Sequence, residues 1–351
     1  MAPIPAYAAQ GPQTPLAPFT IERREPGPHD VVIDIAFCGI CHSDLHQVRD
    51  EWGRSIFPMV PGHEIVGTIR ATGPSVRGFR VGDGVGVGCF VDSCRHCEAC
   101  HAGEEQFCAE GMSLTYNGYE RDGKTPTHGG YSTRIVVDEH YVLRLPAKLP
   151  RERAAPLLCA GITTYSPLRR HGAGPGRRVG ILGLGGLGHM AVKLAKAMGA
   201  HVTVLSHSAG KREGARQLGA DHFVHTADVD ALKKHSGHFD LILDTVSAAH
   251  DYNAALDLLH RDGTLVLVGV PPPSPLAPGS LIMKRRHLTG SLIGGIRETQ
   301  EMLDFCAAHD VAADVEVIPI QKVNEAYARM ERGDVHYRFV IDLGSLREAS
   351  R

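Results

Sequence analysis

No stretch of this chain approaches the ~18 uninterrupted apolar residues that a membrane-spanning helix needs. An excess of one charge is missing too. Lys and Arg number 37 against 39 Asp and Glu, a formal net charge of -2, which provides no electrostatic footprint for a nucleic acid or an acidic membrane. The opening MAPIPAYAAQGPQTPLAPF lacks a basic segment followed by an apolar run, so no secretory signal is expected. Internal repeats and low-complexity segments are absent. Aromatic residues are few, and Trp52 is the only tryptophan. The expectation is a soluble protein of the cytoplasm with neither nucleic-acid nor membrane partners.

What the chain has is length. Its 351 residues exceed one ordinary core and predict two domains. From about Val31 to Leu145 short β-like runs (VVIDIAF, IVGTI, YSTRIVV, YVLRL) are punctuated by glycine and proline, the texture of an irregular, mostly antiparallel β domain. From about Arg151 strands alternate with helical patterns. RVGIL precedes a glycine turn and the helix HMAVKLAKAMG; VTVLS, KREGARQLG, HFVH, DLILDTV, AALDLLH and TLVLVGV follow. That order predicts an α/β fold with a doubly wound parallel sheet. A proline-rich loop, PPPSPLAPGS, then leads to a helix around Glu298–His309 and the strand-like RFVIDL.

Gly183-Leu184-Gly185-Gly186-Leu187-Gly188 fits G-x-G-x-x-G between a strand and a helix. Such glycines permit a tight turn, close approach of a pyrophosphate, and packing of helix on strand, while the helix N-terminus offers free N–H groups. A plain structural turn is the rival reading, and the surrounding βα units weigh against it. An NAD site places an acid about 20 residues on, at the end of the second strand. Here that strand ends in Ser206-His207-Ser208, followed by Lys211 and Arg212. Hydroxyls and cations without an acid favour the 2′-phosphate of NADP. The rival is that the two cations merely open a solvated helix.

Nine cysteines in a reducing compartment read better as metal ligands and free thiols than as disulfides. Cys94, Cys97, Cys100 and Cys108 lie within 15 residues and would close a tetrahedral structural zinc site. Disulfides pair awkwardly at this spacing, and an iron–sulfur cluster is the third possibility. The same knuckle could serve a nucleic-acid-binding module. That reading wants a basic patch, whereas Asp92, Glu98, Glu104 and Glu105 make the surroundings as acidic as basic. Elsewhere Cys41 opens CHSDLH, His63 and Glu64 follow Pro61-Gly62, and Cys159 sits in LLCAG. Singly, each suits a core or loop role; together Cys41, His63 and Cys159 would suffice for an open Cys₂His zinc site.

The combination resembles the zinc-containing medium-chain alcohol dehydrogenase superfamily, and within it the cinnamyl-alcohol-dehydrogenase-like branch. CGICHSDLH, VPGHEIVG, the cysteine cluster, LLCAGITTYSPL, GLGGLGHMAVK, TGSLIGG and RFVID carry the likeness, in family order and over nearly the whole chain. The resemblance implies a GroES-like β-rich catalytic domain at residues 1–150, completed by 292–351, and a Rossmann domain at 151–291. It implies one catalytic zinc on Cys41, His63 and Cys159, one structural zinc, and NADP(H). Glu64 becomes a neighbour able to swing to the metal, and Asp44 the carboxylate that orients His63. Ser43 resembles the hydroxyl that touches the substrate oxygen, and His46 the outer acid/base. Imidazole suits that task near neutral pH, although a packing or capping histidine is the plainer alternative.

By family position Thr163 joins the cofactor site, and Gln47, Trp52, Cys89, Leu114, Leu292 and Ile293 line the substrate cleft. Trp52 serves equally well as a packed aromatic. Plant cinnamyl enzymes have a tryptophan in WTYN where this chain reads Leu114-Thr115-Tyr116-Asn117, which argues against strict cinnamyl specificity. The expected activity is hydride transfer between NADP(H) and a primary alcohol/aldehyde pair, aromatic or medium-chain, in a homodimer or homotetramer. A zinc-free quinone or enoyl reductase of the same fold is the alternative.

Overall fold

The computed structural model describes residues 3–348, which separate into two units. One runs to Cys159 and resumes at Gly294; the other is Ala160–Ile293.

The first unit is built on a seven-stranded sheet. Its path is Val315–Pro319, Arg338–Asp342, Asp30–Gly39, Ile65–Thr72, Gly84–Val87 and Leu143–Arg144, with Arg134–Asp138 also pairing Asp30–Gly39. Pairing is antiparallel except between Val315–Pro319 and Arg338–Asp342. The expected β runs are all present. Two strands the sequence patterns do not reveal, Ile4–Ala8 and Ala17–Ile21, pair antiparallel beside them. Most of Ala17–Ile21 is exposed, so no alternation of apolar residues marks it.

The second unit contains a six-stranded, all-parallel sheet in the order His222–His225, His201–Ser206, Arg178–Leu182, Phe239–Asp244, Leu259–Leu267, His287–Gly290. Strands covered on both faces read as nearly continuous apolar runs, and Leu241, Ile242 and Leu243 are fully buried in this way. Helix Gly186–Ala197 buries Met190, Ala191, Leu194 and Ala195, the face expected of a helix lying on such a sheet. The chain winds outward from Arg178–Leu182 to one side, then crosses over to Phe239–Asp244. The reversal of strand order falls between those two neighbours, where ligands of doubly wound sheets bind.

Two expectations shift. Residues 151–159 belong to the first unit and residues 292–293 to the second, and helix Arg151–Ala154 with the following turn packs on Asp30–Gly39 and Ile65–Thr72. Arg153 secures them by donating to the Ala313 carbonyl at 2.8 Å and pairing with Asp314 at 3.1 Å. The helix expected through His260 stops at Asp257, since Leu259 already pairs with Phe239 in the parallel ladder. Long-range pairing overrides the local helical pattern there.

Phe239 is fully buried among Leu205, Ile242, Leu256, Leu259 and Leu265. Phe239→Ala should cost about 3–5 kcal/mol through lost burial and the cavity left behind. Urea unfolding followed by circular dichroism would show a lower midpoint with an unchanged slope; an unchanged midpoint would contradict this packing.

Candidate active site

Cys41 lies just beyond strand Asp30–Gly39 and caps helix His42–Val48. Its N–H donates to Asp44 Oδ2 at 2.8 Å. Asp44 is fully buried, and its Oδ1 also accepts from the Gly62 N–H and from His63 Nδ1, each at 3.1 Å. With Nδ1 committed to a carboxylate, the lone pair of His63 stands on Nε2, the arrangement of a metal-binding imidazole. Gly62 has φ +104°, and a Cβ there would lie 2.7 Å from both Cys38 Sγ and the Tyr131 ring, so only glycine lets this turn approach so closely.

Cys159 brings its sulfur to 4.0 Å from Cys41 Sγ. Donor atoms of Cys41, His63, Glu64 and Cys159 all lie within 4.8 Å of one another, and all four residues are buried. The hydrogen bond with Cys159 holds the Cys41 thiol well below its usual range, helped by His63 and Arg338 against the effect of burial; Cys159 is pushed up correspondingly. Burial opposes charge on His63, but the Asp44 carboxylate lifts it well above the ordinary imidazole range. Burial pushes Glu64 up to about 7, opposed by Arg338, which pairs with Glu64 Oε1. Glu64 Oε2 has no hydrogen-bond partner. An orphaned buried oxygen wants an explanation, and beside two thiols and an imidazole a cation provides one. This donor set fits zinc.

Ser43 and His46 stand three residues apart on helix His42–Val48, a spacing that puts both on one side. Ser43 Oγ is 3.7 Å from Cys41 Sγ. His46 Nδ1 pairs with Glu51, and its ring lies 5.0 Å from that of Trp52. Trp52 is 49 % exposed, so it is no core aromatic within its unit. Gln47 accepts a hydrogen bond from Asn117 Nδ2. Leu114 lies in the short strand Ser113–Leu114, and Cys89 Sγ is 3.7 Å from the Leu158 carbonyl. In the second unit Thr163 is buried on helix Ala160–Arg170, Leu292 is exposed, and Ile293 is buried at φ +35°. A β-branched residue at that dihedral is strained, which suits a functional constraint at the end of the unit. Sequence reading missed Glu51, Arg338 and the Tyr116 ring stacked 5.7 Å from His63. Only Arg338, within RFVID, carried any signal.

Cys94, Cys97, Cys100 and Cys108 converge as expected. Backbone N–H groups point at their sulfurs: Cys94 at Cys108 (3.3 Å), Cys97 at Cys94 (3.4 Å) and Ala109 at Cys97 (3.4 Å). The Ala109 bond leads in lowering Cys97 to about 6, while burial raises Cys100 to about 11. N–H donors aimed at sulfur favour thiolates, and four thiolates fit a closed zinc site.

At the glycine turn Gly183 has φ +92°, and a Cβ on Gly188 would strike the Gly183 carbonyl. A Cβ on Gly185 would meet nothing within 4 Å, and helix Gly186–Ala197 has no side-chain cap. Open space over uncapped N–H groups is a cradle for a pyrophosphate. Ser206 is buried, and Ser208 N–H donates to its hydroxyl at 3.3 Å. His207, exposed, lies 3.3 Å from Ser208 Oγ. Lys211 Nζ donates to the Leu184 carbonyl inside the turn at 2.7 Å. Arg212 instead stacks on Phe223 at 4.8 Å, so of the two cations only Lys211 stands at the turn.

Two family models match the chain, the alcohol dehydrogenase GroES-like domain over residues 27–147 and the zinc-binding dehydrogenase over 186–308. The NADP-dependent alcohol dehydrogenase C 1 of Mycolicibacterium smegmatis is 59 % identical over 349 residues, 99 % of this chain and 100 % of that protein. Among solved structures, a cinnamyl alcohol dehydrogenase of Sorghum bicolor superposes with a TM-score of 0.95 at 45 % identity, covering 97 % of this chain and 98 % of that one. The CAD of Helicobacter pylori, complexed with NADP(H), gives 0.92 at 42 % identity over the same shares. With both domain types matched and a relative this similar over its full length, the chain belongs to the zinc-binding, medium-chain alcohol dehydrogenase family, an oxidoreductase of GroES-like and Rossmann units.

Proposed function

We propose that this enzyme transfers a hydride between NADP(H) and a primary alcohol/aldehyde pair, aromatic or medium-chain, using one catalytic and one structural zinc. The observation that supports this most is the buried cluster of Cys41, His63 and Cys159, with His63 aimed by Asp44. Zinc bound there supplies Lewis acidity to the alcohol or aldehyde oxygen, and NADP(H) supplies the hydride chemistry. Asp44 keeps Nδ1 of His63 protonated and the cysteine turn fixed. Glu64, tied to Arg338, is the donor in reserve beside the three ligands. Ser43 is assigned to the hydroxyl proton of the substrate. His46, part-exposed and braced by Glu51, is assigned to handing that proton to water. Gln47, Trp52, Cys89, Leu114, Leu292 and Ile293 are the proposed cleft.

Ser206, His207, Ser208 and Lys211 are proposed to receive the 2′-phosphate, and Thr163 with the glycine turn the rest of the cofactor. The near-neutral charge and the absence, among the described residues, of a helix able to cross a membrane support a cytoplasmic small-molecule enzyme. The edge strand His287–Gly290 offers a surface for a homodimer or homotetramer.

Metal analysis should find two zinc ions per chain, and a metal-free active enzyme would overturn the reading. Cys100→Ser should lower stability before it lowers turnover, whereas Cys41→Ser should stay folded with almost no activity. Thermal unfolding beside steady-state rates separates the two, and equal folding defects would refute the division of roles. Ser206→Asp should weaken NADPH and improve NADH, because a carboxylate repels the 2′-phosphate and accepts from ribose hydroxyls. A wild type that prefers NADH at equal concentration would count against the cofactor assignment. His46→Gln should slow alcohol oxidation by ~10²–10⁴-fold and be partly rescued by small imidazole buffers. Unchanged rates would send the proton by another path.

A further inference from the structure

The second unit holds an aspartate–histidine pair that none of the proposed steps uses, its carboxylate buried and its imidazole part-exposed. Asp244 ends strand Phe239–Asp244 with its side chain 1 % exposed, and its Oδ2 lies 2.6 Å from His250 Nε2. On the other side of the ring, His250 Nδ1 lies 2.9 Å from the Ala248 carbonyl. That carbonyl only accepts, so Nδ1 must donate. Nε2 then needs a second hydrogen between it and the carboxylate, carried by either group. The arrangement therefore closes only when the pair holds one proton more than an ionised aspartate beside a neutral histidine. Burial raises Asp244, in line with such retention.

The start of the segment between the two residues is one of the parts of this unit that touch the glycine turn. Asp244 Oδ1 accepts from the Val246 N–H at 3.0 Å. Thr245 donates to the Leu182 carbonyl through both N–H (3.0 Å) and Oγ1 (2.9 Å). A Cβ on Gly183 would lie 2.8 Å from Thr245 Oγ1 and 2.9 Å from Val246, so turn and segment are fitted to each other. Both lie at the carboxyl ends of the adjacent strands where the strand order reverses.

We infer that the Asp244–His250 pair is a proton-dependent positioning device, holding Thr245 and Val246 against the glycine turn so that the NADP(H) crevice is preformed. This rests on the cofactor reading above. Other groups facing the pair are Tyr252, whose ring meets His250 edge-on at 5.0 Å, and Asp251, whose carboxylate is spent on the Asn253 N–H at 2.8 Å. Ser274 from the proline-rich loop donates to the His250 carbonyl at 3.0 Å. A proton held only in the clamped state stabilises it at low pH, and that stabilisation fades as pH rises and the proton leaves.

The test compares zinc-loaded wild type with His250→Gln and Asp244→Asn, titrating NADPH by fluorescence from about pH 6 to pH 9. At the acid end His250→Gln should bind NADPH about tenfold more weakly, the scale of one charge-assisted hydrogen bond, and should converge on wild type at the alkaline end. The loss should appear in the cofactor KM more than in kcat. Hydrogen exchange of residues 245–249 in cofactor-free protein should be faster in His250→Gln at low pH, which reads the clamp even where Asp244→Asn fails to fold. Wild type that does not bind NADPH overturns the cofactor reading and this inference with it. Wild type that binds, with His250→Gln matching it in affinity and exchange at every pH, overturns the inference alone.

Discussion

The candidate metal centre depends on one buried carboxylate. Asp44 gathers three donors from two segments that are separate in sequence: the Cys41 N–H, the Gly62 N–H and the His63 ring. A carboxylate without water costs several kcal/mol unless its lone pairs are occupied, and here both oxygens are. In return, two ligands that would otherwise move independently share one anchor. Much else follows from it. Gly62, at a positive φ that lets the turn approach Cys38 and Tyr131, presents its N–H to Asp44, and the backbone N–H of the cap residue Cys41 turns back to the same carboxylate on the third residue of the helix.

Around that anchor charge is handled in pairs. Glu64 faces Arg338, which arrives from strand Arg338–Asp342, nearly the whole chain away. A buried pair of this kind is weak evidence for stability, since desolvation offsets most of the attraction. It is better explained by function. A lone Glu64 would be driven to protonate, and a lone Arg338 would put an uncompensated cation beside the cysteines. The need for Arg338 also gives a reason for the first unit to be discontinuous, its sheet incomplete until the chain returns from the second unit.

Sequence alone showed the second unit well and the first unit in part. Strand and helix patterns from Arg178 onward announce themselves because parallel strands are apolar throughout and the glycine turn is local. Cys94 to Cys108 were readable for the same reason, as one short segment closes the site. Asp44 and the zinc triad came from family likeness, since nothing within CHSDLH says that a histidine 19 residues on will meet that aspartate. Glu51 and the Asp244–His250 pair were invisible, and Arg338 showed only as part of RFVID. Each depends on a partner that only the fold supplies, and Ala17–Ile21 escaped because its exposed side chains leave no period to read.

If Lys211 receives the 2′-phosphate as proposed, its surroundings would store the cofactor preference before the cofactor arrives. Its ammonium is half-buried and donates to one neutral carbonyl, that of Leu184, and burial alone lowers its hold on the proton. That is an under-compensated cation, positioned inside the glycine turn rather than free in solvent. A phosphate dianion at Ser206 would meet a charge already desolvated and already oriented, so little side-chain entropy remains to be lost. A ribose hydroxyl in the same place gains far less from it, because a neutral acceptor only replaces the carbonyl. Under the proposed assignment, the discrimination would come from the unsatisfied state of the free protein as much as from contacts in the complex. Arg212, stacked on Phe223, shows that the neighbouring cation in the sequence has no such role.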